Sequence, residues 1–174
     1  MPLFQLGFKC EPSQLGIQAV RQEFIGDLAA EMLFGETSEL YLKLYEDGVI
    51  DGSFGGGFET IEGMALLTCF GDSDDPQAVQ EGILQQAKSL VETGISDEDF
   101  LRMKRSALGR RIRDIDSFDG TCFRICAYYF SGYDYFDFPG VYKEVTAQDV
   151  LNFIKQVVTA DRCALSVVNP VKEV

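Results

Sequence analysis

The residue types that most enzymes use for catalysis are only partly available in this sequence. Its 174 residues include no histidine. A Ser-His-Asp triad, a Cys-His dyad and an imidazole-ligated zinc site are therefore excluded for this chain. Any chemistry must use carboxylates, lysine, tyrosine or thiols, or it must belong to another chain or domain.

Two of the five cysteines are spaced so that a helix would place both thiols on one face. Cys122 and Cys126 form a C-x3-C pair, with no second pair nearby and no histidine to complete a zinc site. We therefore interpret them as small apolar residues of the core. The other three, Cys10, Cys69 and Cys163, also lie among apolar residues, which indicates reduced thiols in a reducing compartment.

One group of carboxylates resembles part of a calcium-binding loop. Asp114, Asp116 and Asp119 precede Gly120, but the glycine comes one residue too late and the twelfth position is not glutamate. We predict no calcium site here. A self-contained enzyme that uses Asp, Glu or Cys chemistry stays open as a hypothesis, although no feature of the sequence indicates a shifted carboxyl pKa.

A basic cluster lies in the longest helical pattern. It could bind a phosphate or an acidic partner, but we interpret it as the solvated face of an amphipathic helix, paired with surrounding carboxylates. The cluster consists of Arg102, Lys104, Arg105, Arg110, Arg111 and Arg113.

A glycine-rich stretch at 52–58 is the least ordinary segment. It lacks the Lys-Ser/Thr of a phosphate-binding loop and lies in a predicted strand, so nucleotide binding is not indicated. Glycine within a strand often marks a bulge or a close backbone approach. A bulged edge strand and a contact with a partner or ligand are both consistent with this pattern.

The overall charge excludes some classes of partner. The formal net charge of −13 opposes binding to nucleic acid and to anionic membranes. No apolar run reaches 18 residues, and the first residues lack the basic and apolar regions of a secretory signal. We therefore expect a cytoplasmic protein, and the length predicts one domain over residues 1–174.

The hydrophobic periodicity predicts an alternation of strands and helix pairs. Asp75 with Pro76, Ser96 and Thr146 with Asp149 are typical helix starts. Two consecutive strands in the middle of the chain favour an α+β fold, with a mostly antiparallel sheet and helices packed on one face. The predicted order is strand 3–9, helix 12–34, helix 38–47, strands 50–59 and 62–70, helix 76–93, a long helix 97–130 with a break near Gly120, an aromatic, turn-rich stretch 131–142, helix 147–157 and strand 162–169.

Three phrases, taken in order, resemble the insulinase-type zinc peptidases, which include the mitochondrial processing peptidases and pitrilysin. The first is the run from Leu33 to Asp51, with its Ser38-x-Leu40 and Leu44-Tyr45-Glu46. The second starts the helix at 94–104, and the third is Val145-Thr-Ala-Gln-Asp-Val-Leu-Asn-Phe. The similarity covers nearly the whole chain and looks closest to the C-terminal domain of a bacterial, cytosolic member.

This resemblance implies a processing-peptidase-like (LuxS/MPP-like) domain without catalysis. In the family, two copies of one α+β domain enclose a chamber; one carries zinc on H-x-x-E-H, and the other often holds the peptide through an Arg and a Tyr. Tyr45 stands where the Arg is expected, and Asp51 or Gly52 where the Tyr is expected. The glycine-rich strand after Asp51 corresponds to the strand that faces the chamber.

The resemblance therefore implies a non-catalytic domain that completes a peptide chamber and contributes substrate contacts but no metal. The implied substrate residues are Tyr45, Asp51, Ser53 and Phe54. The implied partners are the peptide and a zinc-bearing catalytic domain or subunit, and the chain itself is expected to hold no cofactor. The alternative is a catalytically dead structural module that docks a partner protein.

Overall fold

The computed structural model describes residues 1–13, 15–61 and 63–170. These residues form a four-stranded antiparallel sheet in the order β2-β3-β1-β4, together with seven α-helices. The α+β prediction is confirmed. The elements are β1 (Leu3–Cys10), α1 (Ile17–Phe34), α2 (Glu39–Glu46), β2 (Gly55–Ile61), β3 (Met64–Asp72), α3 (Pro76–Thr93), α4 (Asp97–Arg113), α5 (Phe118–Phe130), α6 (Phe138–Glu144), α7 (Ala147–Val157) and β4 (Cys163–Val168).

The helices cover one face of the sheet. Along β1, burial alternates strictly: Phe4, Leu6 and Phe8 are buried, whereas Leu3 and Lys9 are exposed. A strand places successive side chains on opposite faces, so only one face of β1 reaches the core. Helix α1 lies at the centre of the layer on that face and packs against β2, α7 and α6.

Close contact between α1 and β2 depends on a glycine. A Cβ atom at Gly26 would lie 2.3 Å from a ring carbon of Phe58. Real atoms do not approach so closely, so any side chain at this position would force the strand away from the helix. Gly26 thus allows the edge strand to pack directly on α1.

The starts predicted for three helices, α3, α4 and α7, are confirmed. The Asp75 carboxylate accepts from the backbone N–H of Ala78, with Pro76 as the first residue of α3. Ser96 accepts from the N–H of Asp99 at the start of α4, and Thr146 forms a reciprocal capping box with Asp149 at the start of α7. Each cap satisfies an N–H group that has no partner within its helix.

The first helix starts later than predicted, at Ile17 rather than Pro12. A tertiary contact holds the preceding segment outside the helix: the amide of Gln22 accepts from the N–H of Ser13 and donates to the carbonyl of Glu11. Gly16, at φ +81°, then changes the chain direction. Gln14, within the predicted range, lies outside the described residues.

The predicted strand 50–59 is shifted, because residues 51–54 form a turn. The Asp51 carboxylate accepts from both the N–H and the hydroxyl of Ser53, and the N–H of Phe54 donates to the Asp51 carbonyl. Such Asx turns compete with extended structure. β2 therefore begins only at Gly55; Glu62, in the predicted join to β3, is not among the described residues.

The long predicted helix is divided in two, and the division precedes Gly120. A short 3-10 turn at Asp114–Asp116 ends α4, and Ser117 caps α5 by accepting from the N–H of Gly120. The aromatic stretch that we predicted as turns contains a further 3-10 turn and helix α6.

Candidate functional site

The glycine-rich segment forms an edge of the sheet. Among the described residues, β2 pairs with β3 alone. The pairing is one-to-one from Gly55 opposite Phe70 to Ile61 opposite Met64. One of the two interpretations predicted a bulged edge strand. The strand is an edge strand, but the paired residues 55–61 contain no bulge. An edge strand has unpaired N–H and C=O groups on its outer side, where another chain can add as a strand.

The glycines of this strand have different environments. A Cβ atom at Gly56 would lie 2.5 Å from the carbonyl of Thr68 and 2.6 Å from the ring of Phe34, so packing against the core requires glycine here. A Cβ atom at Gly57 would meet nothing within 4 Å. Because successive residues of a strand point to opposite faces, this space lies on the open face of the sheet, away from the helices.

An open groove of about 810 Å³ runs along β2. One wall is the backbone of Gly55–Gly57, a second is the last half of α1, and a third is formed by arginines of α4 and α5. Four arginines and four acidic residues line it, so its charges balance: Arg110, Arg111, Arg113, Arg124, Asp27, Glu31, Glu36 and Asp114.

Most of these charges form ion pairs across the groove walls. Arg110 donates to Glu31 at 2.9 Å, so α4 is joined to α1. Arg124 of α5 donates to Asp114 at 3.0 Å. The prediction that the basic cluster pairs with surrounding carboxylates holds at Arg110, whose partner comes from another helix.

Arg111 contradicts the solvated-face interpretation, because it is only 7% exposed. Its guanidinium donates to Glu23 at 2.8 Å, to Asp27 at 3.3 Å and to the Tyr128 hydroxyl at 3.0 Å. Its carbon Cζ also lies 4.9 Å from the ring centre of Phe24. A guanidinium has five N–H donors in one plane, which suits several acceptors at once.

Burial and neighbouring charge shift the pKa values around Arg111. Burial raises the pKa of Asp27 to about 7; Glu23 adds to this, and Arg111 opposes it. Burial likewise raises the pKa of Tyr142 to about 12. The cluster around Arg111 was not predicted from the sequence. The local pattern that could have indicated it is the pair Glu23 and Asp27, four residues apart on one face of α1.

The four predicted substrate residues are only partly brought together. Asp51 and Ser53 share the turn before β2, where hydrogen bonds from Ser53 lower the pKa of Asp51. Tyr45 lies at the end of α2, 54% exposed, with its ring stacked on Tyr41. Phe54 alone of the four lines the groove, and its ring is buried against Phe4, Phe34 and Tyr41, with 6% exposed.

The core interpretation of the C-x3-C pair is wrong. Cys10 and Cys69 are buried, but Cys122 and Cys126 are exposed on α5. The phenylalanines of this helix also point outward, whereas Tyr128 and Ala127 pack inward.

Two absences bear on the site. Over residues 1–13, 15–61 and 63–170, no group of three or more Asp, Glu, Cys or His side chains could hold a metal ion. Within the same ranges, no helix is long and apolar enough to cross a membrane.

The antiparallel sheet with its layer of helices matches a known class of α+β domain. The family model described as "Peptidase M16 inactive domain" matches residues 2–107. The chain belongs to this family. The resemblance to the non-catalytic domain of insulinase-like peptidases is thus confirmed.

Individual relatives agree. The chain is 28% identical over 172 residues to the uncharacterised zinc protease YmfH of Bacillus subtilis, covering 97% of this chain and 40% of that protein. An M16-like peptidase structure from Alicyclobacillus acidocaldarius superposes with a TM-score of 0.88 at 21% identity, over 98% of this chain and 41% of that one. The inactive peptidase domain of a zinc protease from Bordetella parapertussis superposes with a TM-score of 0.80 at 15% identity, over 99% of this chain and 92% of that one. The chain thus spans about two fifths of the first two proteins.

Proposed function

We propose that this chain is the non-catalytic half of an insulinase-like zinc peptidase and that it completes a peptide-binding chamber. The observation that carries the proposal is the outer edge of β2, which borders the 810 Å³ groove. An extended peptide added to that edge would pair through main-chain hydrogen bonds, largely independent of its sequence.

The geometry beside the strand supports this role. The groove walls are fixed by the ion pairs of Arg110 and Arg111 with α1. The turn containing Asp51 and Ser53 lies directly before the strand, where its polar groups could bind one end of a peptide. Tyr45 presents an exposed ring on the preceding helix.

The metal belongs elsewhere in this proposal. Zinc peptidases bind the ion through three protein ligands, commonly histidines. This chain has none, and its described part offers no alternative cluster, so the residues do not fit zinc. The partner domain or subunit would hold the ion and perform hydrolysis, and we expect the assembly in the cytoplasm.

Peptide addition can be tested without altering the protein. The chain would be purified together with the H-x-x-E-H chain or segment encoded beside it, and titrated with fluorescent, unstructured decapeptides. Two further peptides carry N-methyl groups, one at its odd-numbered and the other at its even-numbered residues, so that each lacks the main-chain N–H donors on one of its two edges. We expect one of the two methylated peptides to bind at least tenfold more weakly than the unmethylated peptide and the other to bind about equally well. Equal affinity for all three peptides would exclude strand addition.

Two substitutions test the predicted contacts. Tyr45→Ala and Asp51→Ala remove exposed or half-buried side chains, so folding should be nearly unchanged while peptide affinity falls. Glu81→Ala, a change at an exposed position of α3 outside the groove, serves as the control. Unchanged affinity in both variants removes these residues from the site.

The alternative, a structural module that docks a partner without binding peptides, predicts association with the partner but no peptide affinity. The exposed aromatic side chains of α5 are the observation that favours a docking role. Peptide titration of the assembled protein separates the two functions.

A further inference from the structure

Helix α5 exposes aromatic side chains to an unusual extent. Four of its aromatic residues are between 74% and 80% exposed, namely Phe118, Phe123, Tyr129 and Phe130. The thiols of Cys122 and Cys126 are exposed as well. We call these six residues the α5 face.

Helical geometry places the six residues on one side. At about 100° per residue, all six fall within an arc of roughly 140° centred opposite Arg124. Asp119 is the one charged residue of α5 in that arc. A continuous apolar surface of this kind on a chain of net charge −13 marks an interaction site more often than a solvated helix.

The outward orientation of this face is fixed by the inner side of the helix. Tyr128 is 8% exposed, accepts from Arg111 and donates to Glu23 at 2.6 Å. The backbone N–H of Ser117 donates to the carbonyl of Asp114, and the hydroxyl of Thr121 donates to the carbonyl of Ile115, both in the preceding turn. The helix cannot rotate its aromatic residues inward without breaking these bonds, so within the described parts of the chain the α5 face stays uncovered.

The length of the relatives favours one occupant of this face. The chain spans 40% of the Bacillus subtilis relative and 41% of the Alicyclobacillus protein, so more than half of each lies outside the part that it matches. An inactive domain of this family implies a catalytic partner. We infer that the α5 face is the surface on which the zinc-bearing domain or subunit docks, an inference that rests on the proposed function.

The position of the face agrees with this occupant. Arg124, on the opposite side of the same helix, lines the groove along β2. A partner seated on the α5 face would therefore stand beside the groove without filling it. The open face of the sheet is the second exposed surface. It mixes the polar Gln5, Lys9 and Ser166 with exposed apolar side chains, namely Leu3, Ile61, Met64, Phe70 and Val168, whereas the α5 face contains a single charged residue.

Two exposed phenylalanines allow a direct test. Phe123→Ser combined with Phe130→Ser removes two of the four exposed aromatic side chains without touching the buried side of α5. Leu101→Ser, at a 45% exposed position on α4, is the matched control. Dissociation constants with the H-x-x-E-H chain would be measured by calorimetry, after circular dichroism has shown equal melting temperatures.

We expect the double variant to bind the zinc-bearing chain at least thirtyfold more weakly, as removal of aromatic residues at the centre of an interface commonly does. The control should bind within twofold of the unmodified chain. In the unmodified complex, Cys122 and Cys126 should react with a thiol reagent much more slowly than in the chain alone.

Three outcomes would overturn the inference. Equal affinity of the double variant, or unprotected thiols in a formed complex, would place docking elsewhere. Dimerisation of the chain alone, abolished by the double variant, would make a second copy the occupant. By contrast, α5-dependent docking without peptide affinity would contradict the proposed function and leave this inference intact.

Discussion

Arg111 joins helices α1, α4 and α5 at a single buried point. Its guanidinium binds Glu23 and Asp27 of α1 and the Tyr128 hydroxyl of α5, and it stacks on the Phe24 ring. A buried charge is tolerated only when it is paired and hydrogen-bonded. These contacts therefore fix one wall of the groove rather than merely solubilise α4.

Arg111→Ala should destabilise the protein by about 3 kcal/mol, because two neighbouring carboxylates lose their shared cation. Urea unfolding at pH 7 measures this change. Arg105→Ala, an exposed arginine on the same helix, should change stability by less than about 0.5 kcal/mol. Similar losses in both variants would contradict a special role for the buried arginine.

Asp27 should make stability depend on pH. Its pKa of about 7 in the folded protein lies above the ordinary 3.8, so the folded state binds more protons than the unfolded state between these values. Stability contributed by this group therefore falls as the pH rises from about 4 to 7. The free energy of unfolding, measured in urea, should decrease between pH 5 and pH 8, and this decrease should be smaller for Asp27→Asn than for the unmodified chain.

NMR titration of the Asp27 carboxyl provides the direct check. A titration midpoint below pH 5 would show that Arg111 lowers the pKa of Asp27 more than burial and Glu23 raise it. In that case the unmodified chain and Asp27→Asn should show the same pH dependence in urea unfolding.

At the scale of elements, two helical glycines should respond oppositely to the same substitution. A Cβ atom at Gly26 would overlap the Phe58 ring, so Gly26→Ala should cost about 1–3 kcal/mol as α1 and β2 separate. A Cβ atom at Gly109 in α4 meets nothing within 4 Å, so Gly109→Ala should stabilise by about 0.5–1 kcal/mol through helix propensity. Thermal unfolding of both variants decides; a loss at Gly109 would contradict the packing described.

Element types could be predicted from the sequence, whereas several boundaries could not. Asp75, Ser96 and Thr146 each bind the backbone N–H three residues later, so these helix caps can be predicted from the local sequence. The start of α1 depends on Gln22 reaching back to Glu11 and Ser13. Such contacts between elements carry no periodic signal.

At the scale of the whole molecule, the chain should bind no zinc by itself. Tight sites need three or four suitably placed ligands, and neither the histidine-free composition nor the described geometry supplies them. Isothermal titration of the purified, reduced chain with zinc should show no stoichiometric binding tighter than about micromolar. A 1:1 site of nanomolar affinity would overturn the assignment of the metal to a partner.

The candidate site was only partly predictable. Local sequence indicated the glycine-rich strand, but not which glycines pack against the core and which leave space. Phe54 lies in that segment, yet its ring packs into the core, because burial depends on Phe4 and Phe34 from distant elements. Cys122 and Cys126 were misassigned since an apolar helix face can equally meet a core or a partner.

The sequence by itself determined the α+β class, the main helix starts, the absence of histidine chemistry and the family resemblance. These follow from composition, periodicity and local hydrogen bonding, which act over a few residues. The tertiary structure alone decided that β2 is an edge strand beside a groove, that Arg111 is buried and that the aromatic residues of α5 face outward. Each of these depends on which distant side chains compete for the same buried volume.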